Sequence, residues 1–233
     1  MTENLDALRD ALPRLGEGVL VTLQLTLGGA LVAFLVSVLL GLLSISRVAP
    51  VRWLSTVVVE FFRGTSLVVQ LFWLYYVMPL FGVSWDAVLT GVIALGLNYG
   101  AYGAEIVRGS INAVDKGQWE GATALNMSPL TRMRRIIWPQ AWALMLSGYN
   151  NLLIMLVKGT AVALFIGLQD LTYEVEELRS STGATIFAYS VGLLAYYLIA
   201  LVLSQGLRQL EKRARRRLGM PVRGTHATAG VSI

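Results

Sequence analysis

Cysteine is absent from this 233-residue chain, and His226 is its only histidine. Disulfides, thiolate metal sites and histidine-based metal clusters are thereby excluded. Neither HExxH nor GxSxG occurs, so the usual metallohydrolase and serine-nucleophile arrangements have no carriers, and no catalytic residue or metal ligand is expected. Charge is scarce as well: Asp, Glu, Lys and Arg make up 14% of the residues against 55% hydrophobic, and mean hydropathy is +0.63. A water-soluble domain has no use for so much apolar surface.

What is present is a set of long runs with no charge at all, over 18–46, 64–85, 87–104, 136–157 and 180–207. Each approaches or exceeds the roughly 20 residues that carry a helix across a bilayer. The reading is an all-α membrane protein of five transmembrane helices, with spans at about 18–46, 52–79, 87–109, 140–161 and 183–207, forming one domain over 18–210. The net charge of +5 is distributed unevenly. Arg47 and Arg52 follow the first span, Arg132, Arg134 and Arg135 sit in the central polar interval, and Arg208 to Arg217 follow the last span, while Asp6, Asp10, Glu17, Asp86, Asp170, Glu174, Glu176 and Glu177 fall in the alternate segments. The positive-inside bias predicts the N-terminus outside and the C-terminus in the cytoplasm. A basic end of this kind anchors to anionic lipid, and nucleic acid is not needed to explain it.

Residues 1–17 place Leu5, Leu8, Leu12 and Leu15 on one helical face, which predicts a short external amphipathic segment lying in the interface. They are net acidic and precede an apolar run too long for a cleaved signal peptide. In the second span Glu60, Arg63, Leu67 and Gln70 recur at helical spacing and predict one polar stripe; charges there face protein or a watery cavity. The third span carries Asn98, Tyr102 and Glu105 on one stripe, and beside it Gly96, Gly100 and Ala104 form a small-residue face for close helix contact, as do Gly28, Gly29 and Ala33 in the first. Ser147, Asn151, Met155 and Lys158 share a face of the fourth span, with Asn150 adjacent. Residues 168–182 predict a short polar helix, and 211–233 a basic tail whose last dozen residues lack the means to fold.

The central interval, 114–139, is the longest polar stretch. Residues 118–125 favour helix, Asn126 tolerates the left-handed conformation that closes one, and Ser128-Pro129 supplies an N-cap and first-turn proline for the next. Two short helices meeting at a turn make a protruding knuckle. Its pattern of Glu120-Gly121-Ala122, Asn126, Ile136 and Trp138-Pro139, preceded by Gly117, resembles the coupling loop of ABC importer permeases, with Gly121, Asn126 and Trp138 standing where that family has alanine, glycine and leucine. Residues 62–72, FRGTSLVVQLF, resemble the second-span signature of the polar amino acid (histidine, glutamine, arginine) permeases, with Ser66 in place of proline. Lys158-Gly159-Thr160 resembles that family's Lys-Asp-Thr element, with glycine for aspartate.

The resemblance implies a type I ABC importer permease fold, a multi-pass location in the bacterial inner membrane, and ATPase-coupling roles for Gly117, Glu120, Gly121, Ala122, Asn126 and Pro139. It also implies partners: separate ABC ATPase subunits that bind ATP and Mg, so that this chain holds no cofactor, a second permease, identical or paralogous, and an external solute-binding protein. Glu60, Arg63, Gln70, Asn98, Tyr102, Asn151 and Lys158 are the candidates for the substrate pathway. Ser66, residues 124–129 and residues 158–161 resemble the subgroup that imports ectoine and hydroxyectoine. The alternative is an ion-coupled secondary transporter or channel. Such folds show paired repeats and broken helices, and neither is read in the sequence.

Overall fold

A helix of 43 residues, α1 (Thr2–Ser44), opens the chain and sets its long dimension. At 1.5 Å per residue it is about 64 Å long, twice the hydrocarbon thickness of a bilayer. The structure, a computed structural model, describes the backbone of residues 2–220 and the side chains of residues 6–220. After α1 come α2 (Ala49–Gly64), α3 (Leu67–Phe72), α4 (Ala87–Asn112), α5 (Lys116–Ala124), α6 (Pro129–Arg132), α7 (Trp138–Gly159), α8 (Leu171–Thr182) and α9 (Thr185–Arg217). Strands are absent among the described residues. Four helical stretches are long and apolar enough to cross a membrane, and α2 with the segment Leu67–Phe81, bent by 101° at the break between them, makes five if the pair counts as one span.

The α1–α4 pair is the spine. Its helices lie so close that side chains of one fill gaps left by glycines on the other: Val92 and Val107 of α4 sit over Gly28 and Gly41, and Val32, Val36 and Ser37 of α1 sit over Gly96, Gly100 and Gly103. A methyl group at Gly41 would approach Val107 to 2.6 Å, and one at Gly100 would approach Val36 to 2.7 Å. Without a hydrophobic drive between helices in lipid, such interlocked dispersion contacts are what hold them together. Side-chain hydrogen bonds add the neighbours. Ser55 of α2 donates to the Leu40 carbonyl at 2.8 Å, and the Ser37 and Tyr149 hydroxyls, on α1 and α7, bond at 2.6 Å.

Two buried clusters mark opposite ends of the bundle. At one, Ala11 and Leu15 of α1 pack on Leu171, Val175 and Leu178 of α8 and on Ala188 of α9. At the other, Val107, Ile111 and Val114 meet Ile137, Ala141 and Met145, with Leu42 and Ile45 beside them. Much of the remaining surface is apolar: Leu20, Leu27, Leu31, Leu35 and Leu39 of α1, and Ile186, Leu193, Leu194, Leu198 and Val202 of α9, are all exposed. That is the surface of a molecule solvated by lipid.

Two expectations are corrected here. Residues 2–17 are the first turns of α1, continuous with the span through Pro13; Ala11 and Leu15 are buried against α8 with Leu8 packed beside them, while Leu12 points outward, 58% exposed. The second span is a broken one, since Thr65 and Ser66 are extended (ψ 153 and 131). Glu60 and Arg63 therefore lie on one helix and Leu67 and Gln70 on another, and the single stripe expected of them does not exist. The helix after the last span runs on through the basic residues to Arg217 and closes at Gly219 (φ 65); the expectation for 222–233 lies outside the described residues.

Candidate functional site

The knuckle follows directly from local backbone chemistry. Asp115 caps α5, its carboxylate accepting from the Gly117 N–H at 2.7 Å, so the helix starts at Lys116, two residues before the sequence reading placed it. At the far end Asn126 takes φ 54, the left-handed region, and is the only non-glycine residue to do so among the described residues. Its N–H bonds the Thr123 carbonyl at 2.9 Å and the Met127 N–H bonds the Ala122 carbonyl at 3.1 Å. Those two bonds are the closure of a Schellman motif, which requires one left-handed residue. Ser128 then caps α6 through the Thr131 N–H, with Pro129 in its first turn.

The two short helices are tied to each other and to the span that follows. Arg132 donates to the Thr123 hydroxyl at 2.7 Å and lies over the Trp119 ring at 5.4 Å, and Gln140 of α7 donates to Gln118 at 3.1 Å. A π-helical turn, Met133–Ile137, leads into α7, with Pro139 in that helix's first turn. Of the six coupling candidates, Gly117, Glu120, Gly121 and Asn126 are exposed, Pro139 is half-buried, and Ala122 is buried under the turn. Leu125 and Leu130 were not singled out in the sequence; they are 75% and 78% exposed at the tip. Two bare leucines on an otherwise polar knuckle are suited to a hollow in another protein.

The pathway candidates divide between two places. Glu60 and Arg63 pair at 3.2 Å in a groove of about 680 Å³ between α2 and α4, where Arg52, Glu105 and Arg108 also stand. Tyr102 supports this group from α4, its hydroxyl donating to the Arg63 carbonyl at 3.3 Å and its ring lying 5.6 Å from the guanidinium. Glu105 and Arg108 form an ion pair on this same groove wall. The groove thus presents cations and anions side by side.

Gln70 and Asn98 serve the bend in the second span. Both are buried, and both amides donate to the Phe62 carbonyl, at 2.9 and 3.1 Å, while the Asn98 amide also donates to Gln70 at 3.2 Å. Breaking a helix in lipid orphans its last carbonyls, and these side chains replace the lost partners. Asn151 and Lys158 are elsewhere: they line two hollows between α7 and α9, neither of which shares a residue with the Glu60 groove.

Gly159 has a physical explanation. A side chain there would overlap the Tyr99 hydroxyl and come within 3.0 Å of the ring carbons Cε2 and Cζ. Tyr99 is held in place by donating to the Met155 carbonyl at 2.9 Å. The tyrosine fills the space an aspartate would need, and the two residues are sixty positions apart, so the pairing is invisible in the sequence.

Comparison with known proteins adds three findings. The family described as binding-protein-dependent transport system inner membrane component matches residues 33–216. The chain is 42% identical over 213 residues to a probable amino-acid ABC transporter permease protein of Sinorhizobium fredii, covering 89% of this chain and 90% of the relative. It is 34% identical to the L-cystine transport system permease protein of Bacillus subtilis (88% of each chain) and 33% identical to the arginine transport system permease protein of the same organism (88% and 94%). Its fold is similar to a chain in the crystal structure of an amino acid ABC transporter with histidines, with a TM-score of 0.81 at 33% identity over 88% of this chain and 96% of that one. A chain of the inward-facing MetNI methionine ABC transporter shares the fold at a TM-score of 0.75 and 17% identity, over 86% and 96%.

Proposed function

The chain belongs to the family of binding-protein-dependent transport system inner membrane components, and from that premise we propose how it couples nucleotide hydrolysis elsewhere to the passage of a small zwitterion. It is the permease subunit of an amino-acid ABC importer, a multi-pass protein of the bacterial inner membrane and a transport component rather than an enzyme. Our reading makes the knuckle of α5 and α6 the lever. Leu125 and Leu130 seat in a groove of a companion ATPase, Glu120 faces that partner's rim, and the π turn at Met133–Ile137 carries the movement into α7. The observation that supports it is the Schellman-closed, cross-braced knuckle, rigid at its turn and apolar at its tip.

Movement of the lever exchanges two states of the membrane helices, and solute is driven only if it or its external binding protein prefers one of them. A pair of permeases, identical or paralogous, would enclose the path that five crossings alone leave open. Glu60, Arg63, Glu105 and Arg108 form the charged wall of the path, presenting both signs to a solute that carries both. Loss of an aspartate at Gly159 favours a compact zwitterion with no extra cationic arm, and ectoine or hydroxyectoine fits that description. The test is uptake into proteoliposomes holding the permease, its ATPase and its binding protein. Labelled ectoine should accumulate only with ATP inside and binding protein outside, and unlabelled ectoine should compete better than arginine. Arginine or cystine competing better would reject the ectoine assignment, and full-rate uptake without the ATPase would reject the lever in favour of a channel or secondary transporter.

A further inference from the structure

The faces of α7 and α9 leave a furrow that the solute path does not explain. Its lower hollow, about 400 Å³, is lined by Ser147, Asn150, Asn151, Arg208, Glu211 and Lys212, together with Arg215, and its upper hollow, about 660 Å³, by Ile154, Tyr197, Ala200, Leu201, Ser204 and others, with Arg208 common to both. We propose that this furrow binds an anionic phospholipid with a hydroxyl-bearing headgroup, of the phosphatidylglycerol type, its phosphate against Arg208 and Lys212 and one acyl chain lying upward along Ile154 and Leu201.

Four observations converge on that ligand. Glu211 pairs with Arg215 at 2.9 Å, which leaves Arg208 and Lys212 with no acidic partner among the described residues, an excess of two positive charges facing the hollow. Asn150 is 6% exposed, and its Oδ1 has no hydrogen-bond partner among the described residues. A buried acceptor of that kind asks for a donor, and a glycerol headgroup supplies hydroxyls that the phosphodiester group itself lacks. Ser204 is 5% exposed with its hydroxyl equally unpartnered, one turn deeper along α9 than Arg208. That is about 6 Å toward the bilayer centre, the depth at which a glycerol ester carbonyl could accept from it. Depth agrees too: a 20-residue crossing that begins at Thr185 reaches the headgroup level near residue 205, so Arg208 and Lys212 stand among phosphates, while Tyr197, Ala200 and Leu201 stand among acyl chains. Basic clefts between helices at this level are the usual receptors for acidic lipid.

The inference stands apart from the solute assignment, and the experiment uses the intact transporter complex in neutral detergent. Phosphatidylglycerol retained on the complex is measured by native mass spectrometry against phosphatidylcholine, with glycerol 1-phosphate as competitor. Phosphatidylglycerol should be retained selectively, and the headgroup analogue alone should not displace it. Arg208→Gln with Lys212→Gln should weaken retention roughly thirtyfold, two surface charges' worth, whereas Arg213→Gln with Arg216→Gln, which removes equal charge outside the furrow, should leave it within twofold. Should the first pair fail to assemble, Asn150→Leu remains: it removes an unpaired buried polar atom, so the lipid-free complex should melt no lower while selective retention falls at least fivefold. Equal retention of both lipids, equal weakening in the control pair, displacement by glycerol 1-phosphate, or full retention in Asn150→Leu each overturns the proposal.

Discussion

Replacing Asn126 by valine isolates one backbone angle. The residue sits at φ 54 and makes no side-chain hydrogen bond among the described residues, so the substitution removes little from the knuckle except permission to turn left. For a residue with a Cβ that conformation costs about 1–2 kcal/mol, and more for a β-branched one, whereas asparagine and glycine are the residues that adopt it readily. Two hydrogen bonds depend on the turn, Asn126 N–H to Thr123 and Met127 N–H to Ala122. The closed knuckle should therefore lose about a factor of 5–30 in population relative to frayed forms. Amide exchange at residues 126 and 127 should accelerate by that factor, while the amount of permease inserted in the membrane stays normal. ATP-dependent uptake per inserted permease should fall about tenfold, and Asn126→Gly should restore both measurements, because glycine meets the turn without strain. If valine accelerates exchange and uptake is unaffected, the knuckle does not transmit force. If glycine fails as badly as valine, the asparagine amide itself matters and the backbone argument is wrong.

Glu60→Gln should change uptake rate or solute affinity while co-purification with the ATPase persists, since Glu60 lines a charged groove that shares no residue with the knuckle; unchanged kinetics would make the Glu60–Arg63 pair structural. Gly159→Ala should reduce the yield of folded permease, because overpacking against Tyr99 costs about 1–3 kcal/mol, and adding Tyr99→Ala should recover it; a normal yield from the single variant would refute the steric account. Asp170 caps α8 by accepting from the Tyr173 N–H and from the Tyr196 hydroxyl, both at 3.1 Å, yet burial pushes its carboxyl above the ordinary 3.8. A raised carboxyl means the folded chain holds its proton more tightly than the unfolded one, so burial is free of penalty below 3.8 and fully penalised above the raised value. Asp170→Asn keeps a capping oxygen and sheds that penalty. The variant's melting advantage should be greatest at neutral pH and shrink toward pH 3.8, and a difference that does not vary with pH would refute it.

What could be read from the sequence was local, and what could not was made between distant residues. Asn126, Ser128 and Pro129 state their geometry within one turn of chain, and the α1–α4 contact faces announce themselves as small residues at helical spacing. The bend at Thr65–Ser66 was concealed by a hydrophobic run that looks continuous, because the amides that make the break tolerable come from Gln70 and, 36 residues beyond Phe62, from Asn98. Gln70 and Asn98, expected on the substrate pathway, spend their amides on holding that bend. Asn151 and Lys158 both line hollows between α7 and α9, and which helix their side of α7 meets is decided by packing that the sequence of α7 alone does not state.

The interdigitation of valines and glycines along α1 and α4 also limits how the molecule can move. Teeth cut on both sides of a seam resist sliding in either direction, so the two longest-packed helices must travel as a single block through any transport cycle. Deformation is then left to the places where regular helix already stops: the elbow at Thr65–Ser66, the wide turns at Trp73–Val77 and Met133–Ile137, and the tight one at Thr160–Ile166. A transporter assembled this way resembles a hinged shutter on a fixed frame, and a crosslink that locks the frame to itself would leave it working.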